Sequence, residues 1–181
     1  MGKAILVKRS AFPWIYFQGD DKKYCQDMNK TVSMKDYIEV ALQSSRFAVL
    51  ATESNGQPHT SLIAITPFGN FRQLIFATYR NTLKYRNLAH NSKVAVLIER
   101  REVNMEGLQK TIVLTIIGHT EEICIEENEA AYQAHLERHP EMESFMQSSD
   151  CVLIRIIAQS YQVVNGIDDI RWITANDLGA I

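Results

Sequence analysis

The dipeptide Asn55-Gly56 is the feature that most restricts how this chain can fold. It lies between two apolar runs, FAVLAT at residues 47–52 and HTSLIAITPF at residues 59–68. Asn-Gly is the strongest short signal for a β-hairpin, because both residues tolerate the positive φ angles of a two-residue turn. The two runs are therefore predicted to be adjacent antiparallel strands.

More strands are predicted along the rest of the chain. The dipeptide Gly69-Asn70 marks a second turn, and two long apolar runs follow in the second half of the sequence. Gly118 lies inside the first of these long runs, where a glycine indicates a bend or a bulge. Residues 100–110 are predicted to be a polar loop. The additional strands are predicted at residues 73–78, 93–99, 111–125 and 151–164, with a short one at 170–174.

Three helices are predicted between the strands, at residues 34–45, 82–90 and 128–139. Ser33 is a suitable N-cap for the first helix, and Asp36 can complete a capping box. Antiparallel strands joined by tight turns usually close into a barrel, because closure removes exposed strand edges. The predicted fold class is mainly β with α: a β-barrel of about six antiparallel strands with three helices.

Length and composition limit the class of protein. The chain has the length of one ordinary domain, predicted at residues 35–181, after an N-terminal extension at residues 1–34. We expect the aromatic residues of this extension to pack on the domain or on a partner subunit, or to cover a site. The net charge of -2 gives no reason to expect nucleic acid as a partner. Three scattered cysteines favour a cytoplasmic location, and no apolar run reaches the ~20 residues that span a membrane.

The segment LIFATYRNTLKYRNL, residues 74–88, joins a strand to a helix and places several cations at the helix start. Thr82 is a natural N-cap, Arg80 precedes it and Lys84 lies in the first turn. A cation there opposes the helix macrodipole by roughly 0.3–1 kcal/mol. Because a helix N-terminus offers unsatisfied N–H groups to anions, the segment is either a phosphate site or a solvated polar turn. The sequence contains no glycine-rich phosphate-binding loop.

The same segment resembles the phosphate-binding segment of the pyridoxamine 5'-phosphate oxidase-like family of FMN-binding split barrels. In that family a strand ends in Phe-x-Thr and is followed by Ser/Thr-x-Lys. Here the two parts are Phe76-Ala77-Thr78 and Thr82-Leu83-Lys84. The resemblance spans roughly residues 35–175 and includes the hairpin at 50–65, the helix and strand at 87–99 and the segment at 161–173.

The resemblance implies a split-barrel homodimer with FMN at the subunit interface and a small-molecule substrate. The FMN phosphate would contact Thr82, Lys84 and Arg80, and Arg101 would lie at the phosphate or the interface. The flavin ring would lie along the backbone of two strands, and Trp172 would approach it from the other subunit. The implied cofactor-binding residues are Ser61, Leu62, Ile63, Ala64, Ala77, Thr78, Tyr79, Arg80, Thr82, Leu83, Lys84, Arg101 and Trp172.

Two positions depart from the vitamin B6 oxidases of this family. The second strand, HTSLIAIT, has no Arg or Lys, and Trp172 is followed by ITANDLGAI without the Arg-x-His pattern. We therefore expect an FMN-dependent oxidoreductase of the related group, with an unknown substrate. No catalytic side chain is assigned, because in a flavoprotein the cofactor carries the hydride chemistry.

Alternative functions on the same barrel remain open. They are a haem-binding or haem-degrading protein, a flavin-binding module without catalysis and a deazaflavin-dependent reductase. Haem-degrading relatives use a histidine near the C-terminus, and no histidine follows His139 here. His135 and His139 are four residues apart on a predicted helix but lack the His-Glu-x-x-His pattern of a metal site. We interpret the pair as part of a solvated helix face, so no metal site is predicted.

Overall fold

The computed structural model describes residues 33–103, 109–165 and 169–179, so the predicted N-terminal extension lies outside the described residues apart from its last two positions. The helices are α1 (Met34–Ser44), α2 (Leu83–His90), α3 (Glu129–Arg138) and α4 (Glu143–Met146), with short 3-10 turns at Pro140–Met142 and Asp177–Gly179. The strands are β1 (Phe47–Ser54), β2 (Gln57–Ala64), β3 (Thr66–Phe68), β4 (Gln73–Tyr79), β5 (Lys93–Val103), β6 (Gln109–Ile123), β7 (Cys151–Val164) and β8 (Ile170–Thr174). None of the described helices is both long and apolar enough to cross a membrane.

The strands of the described residues form one antiparallel sheet in the order β2-β1-β5-β6-β7-β4-β3, and β8 adds to β7. β2 and β3 stand at the two ends of this order, yet only Ile65 separates them in the chain. The sheet therefore closes on itself, and Ile65 is completely buried. The predicted fold class, a mainly β split barrel with helices, is confirmed.

The predicted hairpin at Asn55-Gly56 is also confirmed. The two residues have φ angles of 54° and 80°, in the left-handed region that a two-residue hairpin turn requires. From this turn β1 and β2 pair along their whole length, from Ser54 opposite Gln57 to Phe47 opposite Ala64. The turn thus fixes which side chains of β2 face the core.

Two adjacent rows of paired residues show how the sheet separates core from surface. The inner row runs across six strands and consists of Ser61, Leu50, Val96, Ile116, Tyr161 and Ile173. Its four central members are fully buried or nearly so. The outer row, one residue away on each strand, consists of Leu62, Val49, Leu97, Thr115, Gln162 and Trp172. None of these outer residues belongs to the buried core.

A bulge divides β7 where its partner strand changes. Gly118 on β6 pairs with Ala158 and Ile117 pairs with Ser160, so Gln159 is an extra residue on β7. A side chain at Gly118 would collide with the Ile157 carbonyl oxygen, 2.2 Å from an added Cβ. Before the bulge β7 pairs with β4, and after it β7 pairs with β8. The bulge predicted at Gly118 is confirmed. It lies where the second partner of β7 changes from β4 to β8.

The observed elements differ from the predicted ones mainly in number and at their ends. The predicted strand 59–68 is two strands, because the chain bends at Ile65, whose N–H donates to the Arg46 carbonyl (2.9 Å). The predicted loop 100–110 is shorter, since β5 and β6 continue pairing as far as Val103 opposite Gln109. The three predicted helices are confirmed within one residue at each end.

Candidate functional site

The start of α2 is fixed by the hydroxyl of Thr82. Its Oγ1 donates to the Tyr79 carbonyl (2.8 Å) and accepts from the Tyr85 N–H (3.3 Å). The same oxygen is 3.1 Å from Oγ1 of the buried Thr78 at the end of β4. These bonds cap the helix and tie its first turn to the strand before it. Thr82 is therefore the N-cap that the sequence predicts.

The first turn of α2 has positive groups without partners among the described residues. The backbone N–H groups of Leu83 and Lys84 have no protein acceptor there, and the turn contains no acidic residue. The Lys84 ammonium is partly buried and forms no hydrogen bond or ion pair with a described side chain. Its burial lowers the pKa of Lys84. This arrangement suits an anion, which would satisfy the N–H groups and the ammonium together.

Arg80 lies beside this helix start but is already paired. Its guanidinium contacts the two carboxylate oxygens of Glu122 on β6 at 2.5 Å and 3.2 Å. Nη1 also donates to the Tyr85 hydroxyl (2.7 Å), which in turn donates to Glu122 Oε2 (2.8 Å). The hydrogen bond with Glu122 raises the pKa of Arg80. Arg80, Tyr85 and Glu122 thus form a closed triangle, which we call the Arg80 triangle.

The two strand segments predicted to hold a flavin ring each have an open edge. Among the described strands β2 pairs only with β1, so its other edge has no partner. β4 pairs with β3 only through Gln73–Ile75, so beyond Ile75 its edge toward β2 forms no ladder with a described strand, and the Tyr79 carbonyl there accepts from Thr82. Residues of β2 and β4 lie close together without forming a ladder. A flat polar molecule could accept hydrogen bonds from both edges.

α2 closes one end of these open edges. Asn87 on α2 is buried and donates to the Thr52 hydroxyl on β1 (3.0 Å). Thr52 pairs with His59 at the start of β2. β2 contacts both β4 and α2, and β4 leads into α2, so these three elements meet at one corner of the barrel. Residues 61–64, 77–79 and 82–84 lie on these elements or at their ends. Of the predicted residues there, Ile63 and Thr78 point to the core, and Leu62 points outward.

Arg101 and Trp172 lie away from this corner in the same subunit. Arg101 is exposed, forms an ion pair with Glu99 (2.9 Å) and pairs with Thr111 on β6. Thr111 lies eleven residues along β6 from Glu122 of the Arg80 triangle, or about 36 Å at strand spacing. Trp172 on β8 is 59% exposed and belongs to the outer row. Neither residue can be placed at the corner by one subunit alone.

The interpretation of His135 and His139 as a solvated face is wrong. Both side chains are completely buried, with ring centroids 4.9 Å apart. His135 Nδ1 is 2.8 Å from the Thr66 hydroxyl, and His139 Nε2 donates to the Ile65 carbonyl (2.9 Å). The pair therefore holds α3 against the bend between β2 and β3. In the part of the chain that the structure describes, no three His, Cys, Asp or Glu side chains are grouped to hold a metal.

Two residues of the corner were missed by sequence reasoning. Glu122 and Tyr85 complete the Arg80 triangle, but they come from segments 37 residues apart. In the sequence, nothing distinguishes the two glutamates at 121–122 from other exposed acidic residues. No local signal identifies which of these carboxylates reaches the β4–α2 turn, because this depends on the register of β6 and β7.

The barrel, its open strand edges and the helix start define a split-barrel protein with a candidate anion site. The fold is shared with solved structures that are distant in sequence, which therefore show similarity of fold only. A haem-binding protein from Mycobacterium smegmatis has a TM-score of 0.72 at 21% identity; the match covers 82% of this chain and 60% of that one. A FAD-binding protein from Mesorhizobium loti has a TM-score of 0.57 at 15% identity, over 69% of this chain and 89% of that one.

A third similar structure is a protein related to general stress protein 26, of the pyridoxinephosphate oxidase family, from Clostridium acetobutylicum. Its TM-score is 0.62 at 12% identity, over 81% of this chain and 99% of that one. No curated protein sequence matches the chain. The family model of pyridoxamine 5'-phosphate oxidase matches residues 34–164. The chain therefore belongs to the pyridoxamine 5'-phosphate oxidase family, as its sequence motifs indicate.

Proposed function

We propose that this protein is a cytoplasmic, FMN-binding homodimer that acts as an oxidoreductase on a small molecule. The observation that carries the proposal is the start of α2. There a partly buried ammonium and two backbone N–H groups converge without a partner among the described residues. A phosphate monoester offers several acceptor oxygens and a negative charge to such a group of donors.

In this proposal Lys84 and the N–H groups of Leu83 and Lys84 bind the FMN phosphate. Thr82 holds the helix start in place, and Arg80 adds a further charge. The open edges of β2 and β4 would hydrogen-bond the flavin ring through the backbone of residues 61–64 and 77–79. This arrangement uses backbone groups and needs no particular side chain along the ring, and the side chains there are mostly small or apolar. Bound FMN would supply hydride transfer, while the protein binds and orients it.

The outer row supports the homodimer. Leu62, Val49 and Leu97 lie side by side on three adjacent strands and are 68%, 37% and 42% exposed. Contiguous exposed apolar side chains of this kind usually mark an interaction surface. The row begins on β2, the strand that would hold the ring, so a second subunit on this face would lie beside the flavin. Arg101 and Trp172 would then reach the site only across the interface.

A cytoplasmic location agrees with the thiols. Cys124 and Cys151 are both free cysteines in the structure. Secreted domains of this size more often carry disulfides, because they fold in oxidising compartments.

A visible spectrum of the protein purified without added cofactor tests the proposal. We expect flavin absorption, or binding of added FMN with quenching of its fluorescence. Haem is the second candidate, because one similar structure is that of a haem-binding protein; it would give a Soret band instead. A protein that shows neither spectrum and binds neither added cofactor would contradict the proposal. Flavin that is bound but not reduced by a hydride donor would indicate a non-catalytic module, and preference for a deazaflavin would indicate the reductase alternative.

Substitution of Lys84 by Met tests the phosphate position. Removing a charged hydrogen bond of roughly 1.5–3 kcal/mol should weaken FMN binding about 10-fold or more. Riboflavin lacks the phosphate, so its affinity should change little. Arg86→Met is the matched control, because Arg86 is an exposed cation on the same helix. FMN affinity is measured by fluorescence titration. Equal losses of affinity in the two variants would show that the phosphate does not bind at Lys84.

A further inference from the structure

The Arg80 triangle places a carboxylate where the proposed function needs positive charge. Glu122 binds both terminal nitrogens of the Arg80 guanidinium, and Tyr85 bridges the two residues. Tyr85 is the third residue of α2, so the triangle touches the same helix turn that carries Lys84. A phosphate at this turn would therefore approach a guanidinium that already has a partner.

The electrostatic consequence follows from the charges at the corner. The pair of Arg80 and Glu122 has no net charge, so Lys84 is the remaining uncompensated cation among the described side chains of residues 78–85. Nη1 of Arg80 donates to Tyr85 and Glu122, and Nη2 donates to Glu122, so a phosphate can take the end-on pair of terminal nitrogens only by displacing Glu122. The carboxylate also repels a dianionic phosphate more strongly than a singly charged one. Glu122 is thus the described acid whose carboxylate binds the Arg80 guanidinium.

We infer that Glu122 competes with the phosphate group for Arg80 and thereby lowers the affinity of the site for a phosphate monoester. This inference rests on the proposed function, since it concerns the same phosphate position. Glu122 thereby helps to select the ligand. It weakens binding of the phosphate group and does not affect the contacts with the flavin ring. A flavin without a phosphate, or with a singly charged phosphodiester, is penalised less.

The surroundings allow the carboxylate to be displaced. Arg80 and Glu122 line a cleft of about 470 Å³ together with residues 123–126 and 152–153. The side chains of Arg80 and Glu122 are 49% and 38% exposed, so neither is locked by packing. Exposed ion pairs of this kind contribute little to folding stability. Removing the Glu122 charge should therefore change ligand binding without unfolding the protein.

The test is the substitution Glu122→Gln, with affinities for FMN and riboflavin measured by fluorescence titration at one ionic strength. We expect FMN to bind roughly 3- to 10-fold more tightly to the variant, as for the loss of one competing charge. Riboflavin affinity should remain unchanged. Glu121→Gln is the matched control: it removes the adjacent carboxylate, which pairs with Arg155 (2.8 Å) and does not contact the corner.

A double-mutant cycle tests the competition itself. Arg80→Gln alone should weaken FMN binding less than the same change does in the Glu122→Gln background, because Glu122 already occupies the guanidinium end that a phosphate would use. In the Glu122→Gln background the same change should weaken binding about 10-fold or more, since Arg80 is then free to bind phosphate. Equal effects of Arg80→Gln in both backgrounds would overturn the inference. An unchanged or lower ratio of FMN to riboflavin affinity in Glu122→Gln would also overturn it.

A measurement without flavin separates the inference from the proposed function. Inorganic phosphate should raise the melting temperature of Glu122→Gln more than that of the unsubstituted protein or of Glu121→Gln. If FMN does not bind but phosphate shows this difference, the proposed function fails and the inference stands. If FMN binds and neither the affinity ratio nor the phosphate effect changes, the inference fails and the proposed function stands. Absence of both FMN binding and the phosphate difference rejects both.

Discussion

The imidazole of His135 has one nitrogen with a hydrogen bond and one without. Nδ1 lies 2.8 Å from the Thr66 hydroxyl, whereas Nε2 is buried without a partner among the described residues. Burial, His139 and Arg138 together lower the pKa of His135 to about 4, and Glu141 opposes this shift. Arg46 also lies against the cluster through its bond to His139. His135 is therefore neutral in the folded protein near neutral pH.

Stability should consequently fall as the pH is lowered from about 6.5 to about 4. The unfolded chain binds a proton at His135 near pH 6.5, but the folded protein does so only near pH 4. The unfolded state thus gains protons over this interval, and the free energy of unfolding loses up to roughly 3 kcal/mol from this residue. Urea denaturation of the unsubstituted protein and of His135→Gln between pH 7 and pH 4 measures the effect. Identical pH slopes for the two proteins would contradict the prediction.

Single residues were predictable where the signal is local. The capping box of Ser33 and Asp36 forms as the sequence predicts, with bonds of 3.1 Å and 3.2 Å in both directions. Thr82 caps α2 for the same reason. The burial of His135 could not be read from its neighbours, because it depends on Thr66, which is 69 residues away in the chain.

At the scale of elements, β7 is the strand that joins the two parts of the sheet. It keeps β6 on one edge throughout, while the other edge passes from β4 to β8 at Gln159. The Gln159 carbonyl accepts from the Ala175 N–H (2.9 Å), and the Ala158 N–H donates to the Arg72 carbonyl (2.9 Å). The bulge thus directs neighbouring backbone groups to different partners. Gly118 permits it by leaving space for the Ile157 carbonyl.

Gly118→Ala should therefore lower the free energy of unfolding. The added Cβ would lie 2.2 Å from the backbone oxygen of Ile157, so β6 or β7 must move. Forcing atoms into a packed site typically costs about 1–3 kcal/mol. Chemical denaturation measures the loss. Gly56→Asn is the control, since Gly56 has open space around it and Asn tolerates its positive φ. A loss at Gly118 no larger than at Gly56 would show that the close approach is not needed.

The length and number of strands were harder to predict than their presence. Residues 100–103 carry Arg-Arg-Glu-Val, which looks like loop, yet they extend β5 because β6 pairs with them as far as Gln109. The division of the strand at Ile65 follows from a bond to Arg46, 19 residues earlier in the chain. In both cases the deciding contact comes from another element, and a single stretch of sequence does not contain it.

At the scale of the whole molecule, the alternation of side chains along each strand is the most predictable property and the one with the widest consequence. It places the inner row in the core and the outer row on the surface. The inner row explains the closed barrel. The outer row begins with Leu62, Val49 and Leu97, apolar residues that one subunit does not cover. The alternation in the sequence thus identifies an apolar part of the outer face on β2, β1 and β5.

Leu97→Glu tests whether this face joins two subunits. Leu97 lies opposite Val49 on the outer face and is 42% exposed, so the folded monomer tolerates a charge there. In a dimer the buried charge would lack a partner, which costs several kcal/mol and shifts the protein to monomers. Light scattering during size-exclusion chromatography measures the mass.

The matched control is Gln147→Glu, which adds the same charge at an exposed position just after α4. We expect the control to remain dimeric and to bind FMN normally. The Leu97 variant should become monomeric and lose FMN affinity, because in the proposed dimer Trp172 and Arg101 reach the site from the second subunit. If the Leu97→Glu protein stays dimeric, the subunit interface lies on another surface. A monomeric variant with unchanged FMN affinity would show that one subunit holds the whole flavin site, with the open edges of β2 and β4 and the start of α2 sufficient for binding.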